Sequence, residues 1–265
     1  MSLLIIRTEK GIIMTTSQSL TITAEQKRQY VEDGYFVLER AMTPDQLAIV
    51  RNDLQSRLDA IHAEMDQQGR DVIGINHRGK RYFISNRWQT SARLPEFIFS
   101  DLLATICRAT LGENAYLFNE QYVVKCAEVG MKFAWHQDSG YVGYDHAPYL
   151  SCWCALDDMT IENGTVYMLP YARAGTREWV RHTPEAGTND LVGYLGSDPG
   201  EPVRCPAGSI AVFSSVCFHR SGVNTTPNMR RVYLAQYTRE VLRKPDGSGP
   251  WALAEPFLRN GQRVR

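Results

Sequence analysis

Residues Tyr149 to Pro170 read YLSCWCALDDMTIENGTVYMLP. Two apolar runs, YLSCWCALDD and TVYMLP, flank a polar link holding Asn163 and Gly164. Tyr149 and Trp153 in the first run, and Thr165, Val166 and Tyr167 in the second, are types that suit strands. The texture repeats on either side, in AYLFNEQYVVK (115–125), GSIAVFSS (208–215) and RRVYLAQYT (230–238). Short apolar segments punctuated by Gly, Pro, Asn and Asp predict a strand-rich region from about residue 115 onward.

The sequence before that point reads as helical. Thr23 with Gln26, and Thr43 with Gln46, form capping-box patterns, the second with Pro44 at the first helical position. The first helix should end near Asp33-Gly34, followed by a short strand in GYFVLERA (34–41). Leu47, Val50, Leu54, Leu58, Ile61 and Met65 recur every three or four residues, one apolar stripe on a helix closed near Gly69. A further helix is expected over 94–111. Helices first and short strands after predict a mainly β fold, a sandwich or barrel with N-terminal helices packed on one side. No linker interrupts residues 14–265, which read as one domain. Residues 1–13 precede a Met14 that could open a natural chain, and are expected to be a vector-derived or disordered leader. The stretch 67–93 is basic, aromatic and long enough for either a functional loop or an irregular solvated surface.

Composition narrows the function. Among 265 residues, 29 basic and 29 acidic side chains balance, so no cationic excess points to nucleic acid or a membrane surface. No apolar run approaches the roughly 20 residues of a membrane span. Six cysteines without a secretion signal read as reduced thiols of a cytoplasmic protein. Cys152 and Cys154 could share a strand face as a metal pair, but no second pair at zinc-site spacing accompanies them, and buried packing is the expected role.

Chemistry concentrates in FAWHQDSGY (133–141). On an extended chain His136 and Asp138 point to the same side and could reach one metal ion. The pattern recurs at His62 and Glu64, but on a helix residues i and i+2 do not face each other, so that pair is expected to be surface polarity. His219, behind the strand-like SIAVFSSVCF, is the candidate third ligand. Two histidines and one carboxylate make the facial triad of non-haem iron(II) oxygenases. A 2-oxo acid co-substrate would need a cation for its far carboxylate. Arg230 and Arg231 compete for that role. Arg230 shares a strand face with Val232 and Leu234, the aliphatic and therefore barrel-facing side, and is preferred.

WHQD, CWCALDDMTIENGTVYMLP, HRSGVNTTPNMRRVY and the N-terminal TAEQKRQYVEDGYFVLERAMTPDQLAIVRNDL together resemble the phytanoyl-CoA dioxygenase family, over roughly residues 23–238. The resemblance implies a double-stranded β-helix (jelly roll), iron(II), 2-oxoglutarate and O₂. It implies that His136, Asp138 and His219 bind the metal, and that Arg230 and Ser221 take the 2-oxoglutarate carboxylate. Gln121 and Trp153 would line the co-substrate pocket. Related halogenases lack the carboxylate ligand, so Asp138 favours hydroxylation, or another dehydrogenative outcome, of a small-molecule metabolite or natural product, with release of succinate and CO₂. An acyl-CoA substrate would want a denser basic cluster than the chain offers. Relatives often carry Pro-Gly-Ser-His where this chain has Pro170-Tyr171-Ala172-Arg173, so the resemblance carries no substrate preference over through this loop and leaves the implied metal ligands untouched.

Trp88, Phe133, Trp135, Tyr141, Tyr144 and Phe218 are candidates for an apolar substrate pocket, and Arg81, Arg87 and Arg173 for contact with a substrate anion. Two other classes compete. A cupin-like binding protein without turnover would have no need of Arg230 or Ser221. A zinc hydrolase would need a general base beside the metal, for which Glu120 and Asp145 are nominal candidates. Oligomeric state leaves no mark in the sequence.

Overall fold

In the computed structural model the described residues are 3–8, 11–16, 20–127, 132–185 and 190–265. Leu3–Thr8 and Gly11–Thr16, where no regular structure is expected, pair antiparallel with each other. Both predicted capping boxes form. The Thr23 and Thr43 hydroxyls accept from the backbone N–H of Gln26 and Gln46, whose side chains accept in return from the backbone N–H of Thr23 and Thr43. Each such cap typically stabilises a helix by about 1 kcal/mol. They start the helices Ala24–Glu32 and Pro44–Gln68, the second closed by Gly69 in the left-handed conformation. The segment 94–111 is two helices, Leu94–Ile98 and Asp101–Thr110, because Ser100 breaks the run and caps the second.

Two antiparallel sheets follow. The large one runs Tyr35–Leu38, Ile210–Ser214, Leu150–Ala155, Arg230–Thr238, Ala115–Lys125 and Arg81–Ser85, continued by the short strands Asn76–His77 and Val72–Ile73. Thus 67–93 carries three strands that extend the sheet, joined by turns. The small sheet has the order Glu201–Pro202, Val166–Leu169, Phe218–Ser221, Phe133–His136. Trp153 and Ala155 of the large sheet share a core with Val166 and Met168 of the small one. The alternate residues Cys152 and Cys154 face the opposite way, into a second core with Val50, Leu54 and Leu58 of the long helix and Leu103 of a shorter one. The strand Leu150–Ala155 is therefore buried on both faces, which explains its continuous apolar run. All six cysteines are buried and free, as packing residues. His62 is not mere surface polarity, since its Nε2 lies 2.7 Å from the hydroxyl of buried Tyr82.

Tyr171 of the divergent Pro-Tyr-Ala-Arg stretch is buried over Gly34, where an added Cβ would lie 2.6 Å from the tyrosine ring. Arg173 pairs with Asp198 and Glu201. Both side chains are thus committed to holding the fold.

Candidate active site

A cavity of about 450 Å³ opens between the sheets. His136 and His219 are direct cross-strand partners, with ring centroids 4.2 Å apart. Gln137 is extended, at φ −113° and ψ 140°, so Asp138 comes round to the same side as His136. One ligand atom from each of His136, Asp138 and His219 lies within 4.8 Å of the other two. Residues 83 positions apart are brought together by a pairing that the sequence alone does not display.

The supporting contacts decide which atoms are free. His136 Nδ1 is 2.8 Å from the Ala134 carbonyl, and His219 Nδ1 is 3.1 Å from that of Cys217. A carbonyl only accepts, so each Nδ1 carries the proton and each Nε2 lone pair is left for a metal. Asp138 Oδ2 accepts from the Ser151 hydroxyl at 2.6 Å and the Gln236 amide at 2.8 Å. Its Oδ1 lies 3.5 Å from His219 Nε2. Asn119 donates to Gln236 Oε1 and extends the chain of bonds. Burial and the neighbouring His219 push His136 down to about 3, keeping it neutral. Burial also raises the Asp138 carboxyl, but His219, His136 and the Ser151 hydroxyl outweigh it, and the group lies below the usual carboxylate range. A neutral His136 imidazole and an ionised Asp138 carboxylate are the protonation states a divalent metal requires. Ser151→Ala is expected to weaken metal binding about tenfold, since outer contacts of this kind carry one to two decades of affinity; Mn(II) titration checks this.

Deeper in the cavity, Arg230 is 1% exposed. Its Nη2 donates to the Gly164 carbonyl at 3.3 Å, its guanidinium lies over Trp153, and its Nε has no partner. Burial lowers it to about 10. Arg231 points the other way, into a pair with Asp157. Gln121 and Trp153 line the cavity on either side of Leu234. Ser221 lines it too, and accepts from Lys125 Nζ at 2.8 Å. Lys125, absent from the sequence-based candidates, is 2% exposed and is the cross-strand partner of Arg230. Burial and Arg230 together push its ammonium well below the usual range. A buried guanidinium with an orphaned N–H, beside a buried lysine amine, is a fit for an anion such as a carboxylate.

Of the candidate substrate-facing aromatics, Phe133 and Tyr141 line the cavity. A bulge permits this, because Phe133 pairs with Ser221 while His136 pairs with His219, three residues against two. Trp135 and Phe218 instead form a separate cluster with Leu169. Trp88 is buried in the helix-side core, and Tyr144 packs beside Val142 and Tyr149. Arg81 lines the cavity, whereas Arg87 is exposed outside it. Neither proposed hydrolytic base is in place. Glu120 accepts from the backbone N–H of Trp88, on the opposite strand face from Asn119 and Gln121, and Asp145 accepts from the Trp179 indole. Phe83, Phe118, Tyr149, Phe213 and Trp251 also line the cavity.

The family model for the phytanoyl-CoA dioxygenases matches residues 30–232. The chain belongs to the phytanoyl-CoA dioxygenase family. It is an enzyme of the 2-oxoglutarate-dependent dioxygenases, with iron(II), 2-oxoglutarate and O₂ as its cofactor and co-substrates. A probable alpha-ketoglutarate-dependent hypophosphite dioxygenase of Stutzerimonas stutzeri is 24% identical over 226 residues, covering 81% of this chain and 78% of the relative. An ectoine dioxygenase of Stutzerimonas stutzeri (strain A1501) is 25% identical over 254 residues, covering 84% and 79%. Among solved structures, EctD from S. alaskensis with 2-oxoglutarate and 5-hydroxyectoine superposes with a TM-score of 0.66 at 22% identity, covering 91% of this chain and 85% of that one. The carbocyclase SnoK from nogalamycin biosynthesis gives 0.64 at 17% identity, covering 90% and 94%. These likenesses establish the jelly-roll fold. Among the described residues no helix is long and apolar enough to cross a membrane.

Proposed function

We propose that this dioxygenase hydroxylates, or otherwise oxidises at an unactivated C–H bond, a small-molecule metabolite or natural product. In this reading His136, Asp138 and His219 hold iron(II), and Arg230 with Ser221 takes the far carboxylate of 2-oxoglutarate. The observation that carries it is the orphaned Nε of buried Arg230, in the same cavity as the His–Asp–His cluster. A cupin-like protein that only bound metal would have no use for that cation. When bound, iron and 2-oxoglutarate supply O₂ activation, with release of succinate and CO₂.

The chain's own contribution is aim and exclusion of water. Carbonyl contacts fix both imidazoles, and Ser151 and Gln236 fix the carboxylate. Phe118, Phe133, Tyr149 and Phe213 wall the cavity with apolar surface, fit for a substrate with an apolar body. Lys125 occupies a lone pair of the Ser221 oxygen, which leaves the serine hydroxyl hydrogen to donate into the cavity. The test is anaerobic addition of iron(II) and then 2-oxoglutarate. A visible charge-transfer band should appear, and O₂ should then release succinate; intact protein giving no band would refute the reading.

Lys125→Met is expected to weaken 2-oxoglutarate binding about tenfold, the worth of one charge-assisted hydrogen bond. Metal affinity should stay unchanged, and calorimetry on the Mn(II) form separates the two.

A further inference from the structure

We infer that His182 is a positioning residue for the metal-binding turn, acting through the backbone N–H of Gln137, the residue between the two ligands His136 and Asp138. The inference rests on the metal-site reading above and deepens it.

Gln137 is 0% exposed and faces away from the cavity. Its side chain is fully occupied. The amide donates to the Glu178 carbonyl at 2.9 Å and the Val216 carbonyl at 2.7 Å, and its oxygen accepts from Val180 N–H at 2.8 Å. Its backbone N–H has no carbonyl to reach and donates instead to His182 Nε2 at 2.8 Å. His182 Nδ1 lies 2.7 Å from the Val180 carbonyl, so the ring carries its proton there and offers Nε2 as an acceptor. An imidazole in this tautomer thus serves as the acceptor for the turn and ties it to the 176–185 segment.

The ring's slot leaves it little freedom. A Cβ on Gly140 would lie 2.5 Å from His182 Nε2, and one on Gly193 would lie 2.5 Å from the same atom. Neither glycine is in the left-handed region, so space rather than backbone conformation calls for glycine at both positions. Phe218, the neighbour of His219, stacks on the third side with centroids 6.2 Å apart at 23°. Gly193 N–H donates to the Trp135 carbonyl at 2.8 Å, pinning the far end of the slot to the same turn. A ring held by two glycines and a phenylalanine has one orientation, and it passes that orientation to the peptide joining the two ligands. Asp138 opens a short 3₁₀ turn, Asp138–Tyr141, so the Gln137 peptide sets where that turn starts, while Ser151 and Gln236 hold the carboxylate itself.

The test compares the full chain with His182→Phe, which keeps a ring in the slot but lacks the acceptor, and His182→Gln, which restores an acceptor without the ring. Two readouts are taken, Mn(II) affinity by calorimetry and hydrogen exchange of the 133–141 peptide in metal-free protein. His182→Phe should weaken Mn(II) binding about 10- to 100-fold and speed exchange at Gln137. His182→Gln should recover at least half of that loss on a logarithmic scale. Wild-type affinity together with wild-type exchange in folded His182→Phe would overturn the inference, as would a folded His182→Gln no better than His182→Phe. Should His182→Phe not fold, His182→Gln is judged against the wild type, and a loss of more than ten-fold in Mn(II) affinity overturns it. Wild-type protein that itself fails to bind Mn(II) would count against the metal site alone, leaving exchange at Gln137 to judge the latch.

Discussion

Replacing Asp138 by alanine should remove the charge-transfer band and lower succinate formation by more than about a hundredfold, beyond the loss expected from any outer contact of the site. The carboxylate supplies the one negative charge of the cluster, and two neutral imidazoles alone hold a divalent ion weakly. The variant should fold. Its deletion leaves the Ser151 hydroxyl and the Gln236 amide without their shared acceptor, but these two already contact each other at 2.9 Å and can satisfy one another. Stability should therefore fall by only about 1–2 kcal/mol, the usual cost of a lost buried hydrogen bond. Mn(II) calorimetry beside a urea titration checks both halves. Loss of metal affinity without unfolding is the expected pair of results, and an undiminished band in folded Asp138→Ala would remove Asp138 from the metal site.

The common side of His136 and Asp138 was legible because it depends on a short-range rule, whereas the approach of His219 depends on strand pairing. An extended Gln137 brings residues 136 and 138 to one side whatever surrounds them. Arg230 was legible for the same reason, since alternation along Arg230–Thr238 separates it from Arg231 without help from tertiary structure. The aromatic lining was only half legible. Alternation from His136 would turn Phe133 away from the cavity, and the bulge that turns it back is set by pairing with Phe218–Ser221, not by local sequence. A second irregularity, where Asn119 pairs with Gln236 but Leu117 with Tyr237, leaves Phe118 as the extra residue and brings it to the cavity. Lys125 gives no sign in the sequence, because a lysine closing an apolar strand reads as a solvated end. Its burial comes from Ser221, Gly222 and Phe133, all distant in sequence. His182 lies in a connection with no periodicity. The glycines that make its slot, Gly140 and Gly193, carry no sequence signal beyond their identity.

Arg230→Ala should raise the dissociation constant for 2-oxoglutarate by two to three orders of magnitude, because truncating one partner of a buried charge pair costs about 2–5 kcal/mol. The direction of the accompanying stability change distinguishes a ligand-binding arginine from a structural one. Arg230 holds a single weak hydrogen bond to the Gly164 carbonyl, its Nε is unpartnered, and a second basic group, Lys125, lies alongside. That is an unfavourable arrangement for the empty protein, tolerated where a bound anion relieves it. Removing the guanidinium forfeits packing over Trp153 but relieves the unpaired charge. The net loss in urea should thus be far smaller than the 3–5 kcal/mol that breaking a paired buried ion would cost. Arg231→Ala provides the control. It breaks the pair with Asp157 on the other side of the strand and should leave 2-oxoglutarate binding within about twofold of wild type, the reach of a partly exposed pair. If instead Arg231→Ala weakens co-substrate binding and Arg230→Ala does not, the anion site lies on the opposite face of the strand, and the cavity between the two sheets loses its claim to hold the co-substrate.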